Sequence, residues 1–114
     1  MSLGSEQRKF TRMIACLIIY VYDELGHELT FGDAYRAPSV HGEVGEKKSY
    51  SSAMSLHKDR LAVDFNLFVG GKYITAGEHP EYIKIGEFWE RLGGAWGGRF
   101  NDANHFSKEY QGRK

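Results

Sequence analysis

An aspartate stands in the middle of the apolar run Leu61-Ala62-Val63-Asp64-Phe65-Asn66-Leu67-Phe68, and no other feature of the 114-residue chain restricts its fold so tightly. The composition of the run predicts a half-buried strand over Leu61 to Phe68. A carboxylate on such a strand has to be paired or metal-bound, because burying it alone is costly. Gly70-Gly71 follows directly, and a glycine pair between two strand-forming runs predicts a two-residue turn into Lys72 to Thr75. The aspartate therefore lies on one arm of a hairpin.

The surrounding elements can be read from periodicity. Phe10, Met13, Ile14, Leu17, Ile18, Val21 and Leu25 recur at three- and four-residue steps, which predicts a core-facing helix with Ser5 as N-cap and Gly26 as stop. Arg8, Lys9 and Arg12 before Met13 to Tyr22 resemble the start of a secretory signal. No small-residue cleavage site follows, and about ten apolar residues fall short of the ~20 that span a bilayer. Glu28 to Tyr35 predicts a first strand that ends before Pro38. Ser39 to Ser52, rich in Gly, Ser and charge, predicts a surface loop flanking a cleft. Glu81 to Leu92 predicts a second helix with Tyr82, Ile85, Phe88, Trp89 and Leu92 on one face and Gly93-Gly94 ending it. His105 to Ser107 predicts a closing strand.

This order, α, β, loop, β-hairpin, α, β, predicts an α+β fold: a small antiparallel β-sheet with flanking helices in a single domain, 1–114. The N-terminal helix would occupy 1–27 and the catalytic core 28–107. Lys plus Arg equals Asp plus Glu, 15 of each, so nothing draws the chain to nucleic acid or to an anionic membrane, and no stable membrane association is expected. The single cysteine, Cys16, excludes an intrachain disulfide framework and fits a reducing cytoplasm. A monomer is expected.

The chemistry concentrates in two phrases, Ser55-Leu56-His57 with Asp64, and Asp102-Ala103-Asn104-His105. His57, Asp64 and His105 form a two-imidazole, one-carboxylate set suited to Zn²⁺, and a three-ligand tetrahedral site keeps its fourth position open, as catalytic zinc does. A closed structural site would want a fourth ligand, usually Cys, and Cys16 lies far off in an apolar run. His57 and Asp64 can meet only if the chain turns at Lys58 to Arg60, because a strand would hold them apart. The alternative for Asp64 is a salt bridge to Arg60 or Arg36, and residue types alone do not decide between them. Asp102, three residues before a ligand, can reach the open position without occupying the metal, which is the placing of a general base. Arg36 is suited to holding a developing oxyanion or a substrate carboxylate. The plainer readings are a turn-capping Asp102 and an ordinary strand histidine at 105. His27, His41 and His79 lack ligand spacing and are expected at the surface. Trp89 is expected in the core. Trp96 either lines a substrate groove or packs across the turn at Gly97-Gly98.

SLHKDRLAVDF and WGGRFNDANHF resemble the two zinc-binding signatures of the D-alanyl-D-alanine metallopeptidases (VanX/VanY type), a group that includes phage L-alanyl-D-glutamate endolysins. The first signature, Ser-x-His-x-x-Gly-x-Ala-x-Asp, lands on Ser55, His57, Ala62 and Asp64. The second, Trp-Gly-Gly followed by acid-x-x-His-Phe, lands on Trp96, Gly97, Gly98, Asp102, His105 and Phe106. The resemblance covers about residues 30 to 107. It implies His57, Asp64 and His105 as zinc ligands, Asp102 as catalytic base and Arg36 of AYRAP as the substrate-stabilising arginine, with Ser55 and Trp96 taken as substrate-binding. Arg60 departs from the pattern, standing where the family has glycine. Arginine there implies an ordinary backbone or a reshaped cleft rim.

The expectation is a zinc-dependent peptidase hydrolysing amide bonds of bacterial peptidoglycan stem peptides, of the phage or prophage endolysin kind (L-alanyl-D-glutamate endopeptidase), cytoplasmic until release to the cell wall. The rivals are a D-Ala-D-Ala carboxypeptidase and a catalytically inactive zinc-containing peptide-binding domain.

Overall fold

A computed structural model describes residues 2–32 and 56–114. The first helix, α1 (Leu3–Ile19), starts one turn earlier than Ser5, because the Ser2 hydroxyl caps it by accepting from the Ser5 N–H at 3.1 Å. It runs on through a π-helical turn, Tyr20–Glu24, and stops at Gly26, where the His27 N–H reaches back to the Val21 carbonyl at 3.0 Å. Phe10, Leu17 and Val21 are buried, while Met13, Ile14, Ile18 and Leu25 are partly buried against the core. The periodic stripe is thus a packing face.

Five strands form one open antiparallel sheet: β1 (Glu28–Phe31), β2 (Ala62–Val69), β3 (Lys72–Ile74), β4 (Ala95–Trp96) and β5 (His105–Ser107). The order is β1-β2-β5-β4, with β3 also paired to β2. One edge of β2 is shared end to end: Ala62 to Asp64 face β5, and Leu67 to Val69 face β3. The hairpin arises as expected, since Gly70 and Gly71 adopt φ of 59° and 80°, the paired positive values of a turn that matches strand twist. His105 to Ser107 forms the expected closing strand, the last in the chain. It lies between β2 and the two-residue β4, a strand too short to show in the sequence pattern.

The second helix, α2 (Pro80–Arg91), begins with Pro80 in its first turn and is capped by His79, whose Nδ1 accepts from the Glu81 N–H at 3.1 Å. Tyr82, Ile85 and Trp89 on its buried face meet the sheet. Trp89, fully buried, touches Phe10 of α1 and Phe106 of β5 edge-on, with centroids 5.8 and 6.0 Å away. Its indole N–H is shared between the carbonyls of Ser107 (2.8 Å) and Ala95 (3.1 Å), so one side chain ties α2 to β4 and β5.

Strand alternation then sorts the β2–β5 ladder into two faces. Val63, Phe65, Leu67 and Phe106 enter the core. Asp64 and His105 point the other way. Two histidines expected as plain surface groups have structural jobs instead: His79 is the cap, and His27 pairs with Glu81 at 2.7 Å. Hydrogen bonds from His27 and Lys84 hold the Glu81 carboxyl below its usual range. His41, like the expected loop from Ser39 to Ser52, lies outside the described residues.

Candidate metal centre

Asp64 and His105 are direct cross-strand partners. The Phe65 N–H donates to the Asn104 carbonyl at 2.8 Å, which makes the Asp64/His105 position a non-hydrogen-bonded pair, the kind whose side chains stand closest. Register alone therefore unites residues 41 positions apart.

His57 arrives by a different route. Leu56–Asp59 is a single 3-10 turn, closed when the Leu61 N–H bonds the Leu56 carbonyl at 3.0 Å. The turn required between His57 and Asp64 is present, and its reversing residue is Arg60, at φ 58°. This corrects the expectation that arginine signals an ordinary backbone. Arg60 takes the left-handed conformation that glycine adopts without steric cost, so the turn survives with its Cβ strain retained. Two contacts brace the turn from outside. Gln7 of α1 donates its side-chain amide to the Asp59 carbonyl at 2.8 Å, and the Arg113 guanidinium makes a short ion pair with the Asp59 carboxylate. Neither contact had a sequence signal, because both partners are remote and of common surface types.

Three donor atoms converge. His57 Nε2 lies 3.1 Å from Asp64 Oδ1 and 3.3 Å from His105 Nδ1, and His105 Nδ1 lies 3.6 Å from Asp64 Oδ1. Tetrahedral zinc bonded at ~2.0–2.1 Å sets its ligand atoms about 3.3–3.4 Å apart, so this triangle has the dimensions of three corners of such a site. His105 Nε2 is 3.0 Å from the main-chain oxygen of Lys114, which can only accept. The proton on Nε2 leaves the Nδ1 lone pair directed at the other donors in the neutral ring. His57 and His105 are buried, at 1% and 7% exposure. Burial raises the Asp64 carboxyl, but the adjoining His105 and His57 rings outweigh it and hold the group down at about 2. The carboxylate is therefore ionised at neutral pH. Among the described residues, His57, Asp64 and His105 form a group able to hold a metal ion, and the donor set of two imidazoles and a carboxylate fits zinc.

Asp102 approaches this group through the main chain. Its carbonyl accepts from the His105 N–H at 3.0 Å, and its own N–H bonds the Gly97 carbonyl at 2.8 Å. Gly97 is required there, since a Cβ would stand 2.1 Å from the Asp102 oxygen and 2.6 Å from the His105 Cβ. The Trp-Gly-Gly run thus folds the loop tightly enough to deliver Asp102 and His105 together. Asp102 also lines a cavity of about 620 Å³, with Tyr73, Tyr82, Trp96, Arg99 and Asn104 on its walls. The three donors are not on that lining, so the donor chemistry, and not this cavity, marks the centre. Tyr82 donates to the Phe65 carbonyl at 3.0 Å, and burial pushes its phenol up to about 12, keeping it protonated.

Of the two expectations for Trp96, packing across the turn is the one seen. Its indole N–H donates to the Ala103 carbonyl at 2.7 Å across the turn, the Arg99 guanidinium stacks 5.2 Å over the ring, and the residue still borders the cavity. Ser55 and Arg36 lie outside the described residues.

An α+β domain with a two-histidine, one-carboxylate centre on its sheet defines the class. The chain matches the D-alanyl-D-alanine carboxypeptidase family over residues 49–108, and it belongs to that family of peptidases. No curated protein matches the chain. No helix among the described residues is long and apolar enough to cross a membrane.

Proposed function

We propose that this peptidase is zinc-dependent and hydrolyses amide bonds of bacterial peptidoglycan stem peptides. The observation that carries the reading is the triangle of His57 Nε2, Asp64 Oδ1 and His105 Nδ1, with edges of 3.1, 3.3 and 3.6 Å. Those three atoms would hold the ion. Zinc in such a site supplies a Lewis acid that polarises a carbonyl and makes water a nucleophile near neutral pH. Asp64 offsets part of the ion's charge, and the Lys114 oxygen fixes which His105 nitrogen is offered. Asp102 acts as the general base: its carboxylate takes a proton from the attacking water and returns it to the departing amine. Arg36 stabilises the developing oxyanion. Ser55 and Trp96 are assigned to substrate binding.

Two bonds suit this chemistry. The motifs that resemble phage endolysins support an L-alanyl-D-glutamate endopeptidase, held in the cytoplasm until release to the wall, and this is our reading. The family description favours the second, the terminal D-Ala-D-Ala bond. Mass spectrometry of digested peptidoglycan distinguishes them: new D-glutamate amino termini are expected, and release of free D-alanine alone would establish the carboxypeptidase instead. Purified protein is expected to carry about one zinc per chain. A chain that digests peptidoglycan fully in the presence of a strong chelator would overturn the metal assignment.

A further inference from the structure

Residues 110–114 lie beyond the segment that matches the family, yet they touch the supports of two of the three donors. The tail is folded on itself, with reciprocal main-chain bonds between Tyr110 and Arg113, both 3.0 Å, and the Arg113 guanidinium 5.8 Å over the Tyr110 ring. From this fold-back Arg113 reaches the carboxylate of Asp59, two residues after His57 in the same 3-10 turn. Both partners are largely buried, with side chains 13% and 14% exposed. The next residue, Lys114, sets its main-chain oxygen 3.0 Å from His105 Nε2 and 2.8 Å from the Ser107 hydroxyl. The ion pair sits on the turn that presents one imidazole, and the Lys114 main-chain oxygen sits on the far nitrogen of the other.

We infer that the segment Tyr110–Lys114 is a positioning clamp for the metal centre: Arg113 holds the His57 turn in place, and the Lys114 oxygen fixes the tautomer and orientation of His105. The inference rests on the zinc reading above only for its consequence, since the contacts themselves are within the protein. Arg60 in the same turn holds a left-handed backbone, a conformation that persists where its surroundings fix it. Outer partners that orient a ligating histidine set metal affinity by roughly 10–100-fold.

Two measurements test the clamp. Nitrogen NMR of the metal-free protein should find His105 protonated at Nε2, and removal of Lys114 should give a mixture of tautomers. Zinc competition against a chromophoric chelator should show affinity lowered about 10–100-fold by removal of Lys114 and by Arg113→Ala. Arg113→Lys should recover most of that loss. Asp59→Asn, which breaks the same pair from the other side, should match Arg113→Ala and guards against a variant that merely fails to fold. Unchanged His105 signals together with wild-type zinc affinity in these variants would overturn the clamp. A wild-type chain that binds no zinc would overturn the metal reading, and the tautomer measurement would then decide the clamp by itself.

Discussion

His105 and Phe106 are neighbours on β5, and they face opposite ways into different physics. Phe106, fully buried, packs against Phe65 and Trp89 and contributes to stability by excluding water. His105 turns into a cluster of two imidazoles and a carboxylate, where burial brings desolvation cost and the return is a set of donors aimed at one point. One ladder thus separates what holds the fold from what performs chemistry. The lesson extends along β2, where Val63 and Phe65 serve the core while Asp64 between them serves the centre.

The largest expected effect tests that separation directly. Phe106→Ala should lose about 3–5 kcal/mol of stability in denaturant unfolding, the usual result of emptying a buried aromatic site. His57→Ala should abolish zinc binding while reducing the stability of the metal-free protein by clearly less. Equal destabilisation by both would mean the polar face is structural too.

Within the polar side, ligand and base should part company. Asp102→Ala is expected to keep its zinc and fold while wall digestion falls by about 10²–10⁴-fold. Metal analysis alongside a turbidity assay reads both quantities, and undiminished lysis would remove the proposed base.

A smaller effect concerns the turn between the two faces. Arg60→Gly should raise stability by about 1 kcal/mol, because the left-handed backbone no longer carries a Cβ. A lower melting temperature would show that the arginine side chain contributes more than its strain costs.

The smallest effect is electrostatic and lies on the core side. The buried Glu6 accepts from Lys108 at 2.9 Å, joining α1 to the end of β5, and that bond holds its carboxyl below the usual glutamate range. A carboxyl depressed in the folded state stabilises above its unfolded value, and this contribution is lost as pH falls through the lowered one. Melting temperature should therefore drop as pH falls through the carboxylate range, and Glu6→Gln should flatten that drop.

The sequence by itself determined the helices and the hairpin, and it marked out the residues that could serve as donors. Their signals are local: apolar residues at helical spacing, a glycine pair between strand-forming runs, and a carboxylate where only a paired or metal-bound one is tolerated. The motif spacing also carried the family. Only the tertiary structure decided how the donors meet, because that depends on the Asp64–His105 register and on a left-handed Arg60, and neither follows from composition or period. The placing of β5 inside the sheet, the Glu6–Lys108 pair, the Gln7 and Arg113 braces on Asp59 and the Lys114 oxygen on His105 were equally illegible. Each is a contact between distant residues of ordinary type, and a linear pattern records what a residue is, not which remote partner the folded chain brings to it.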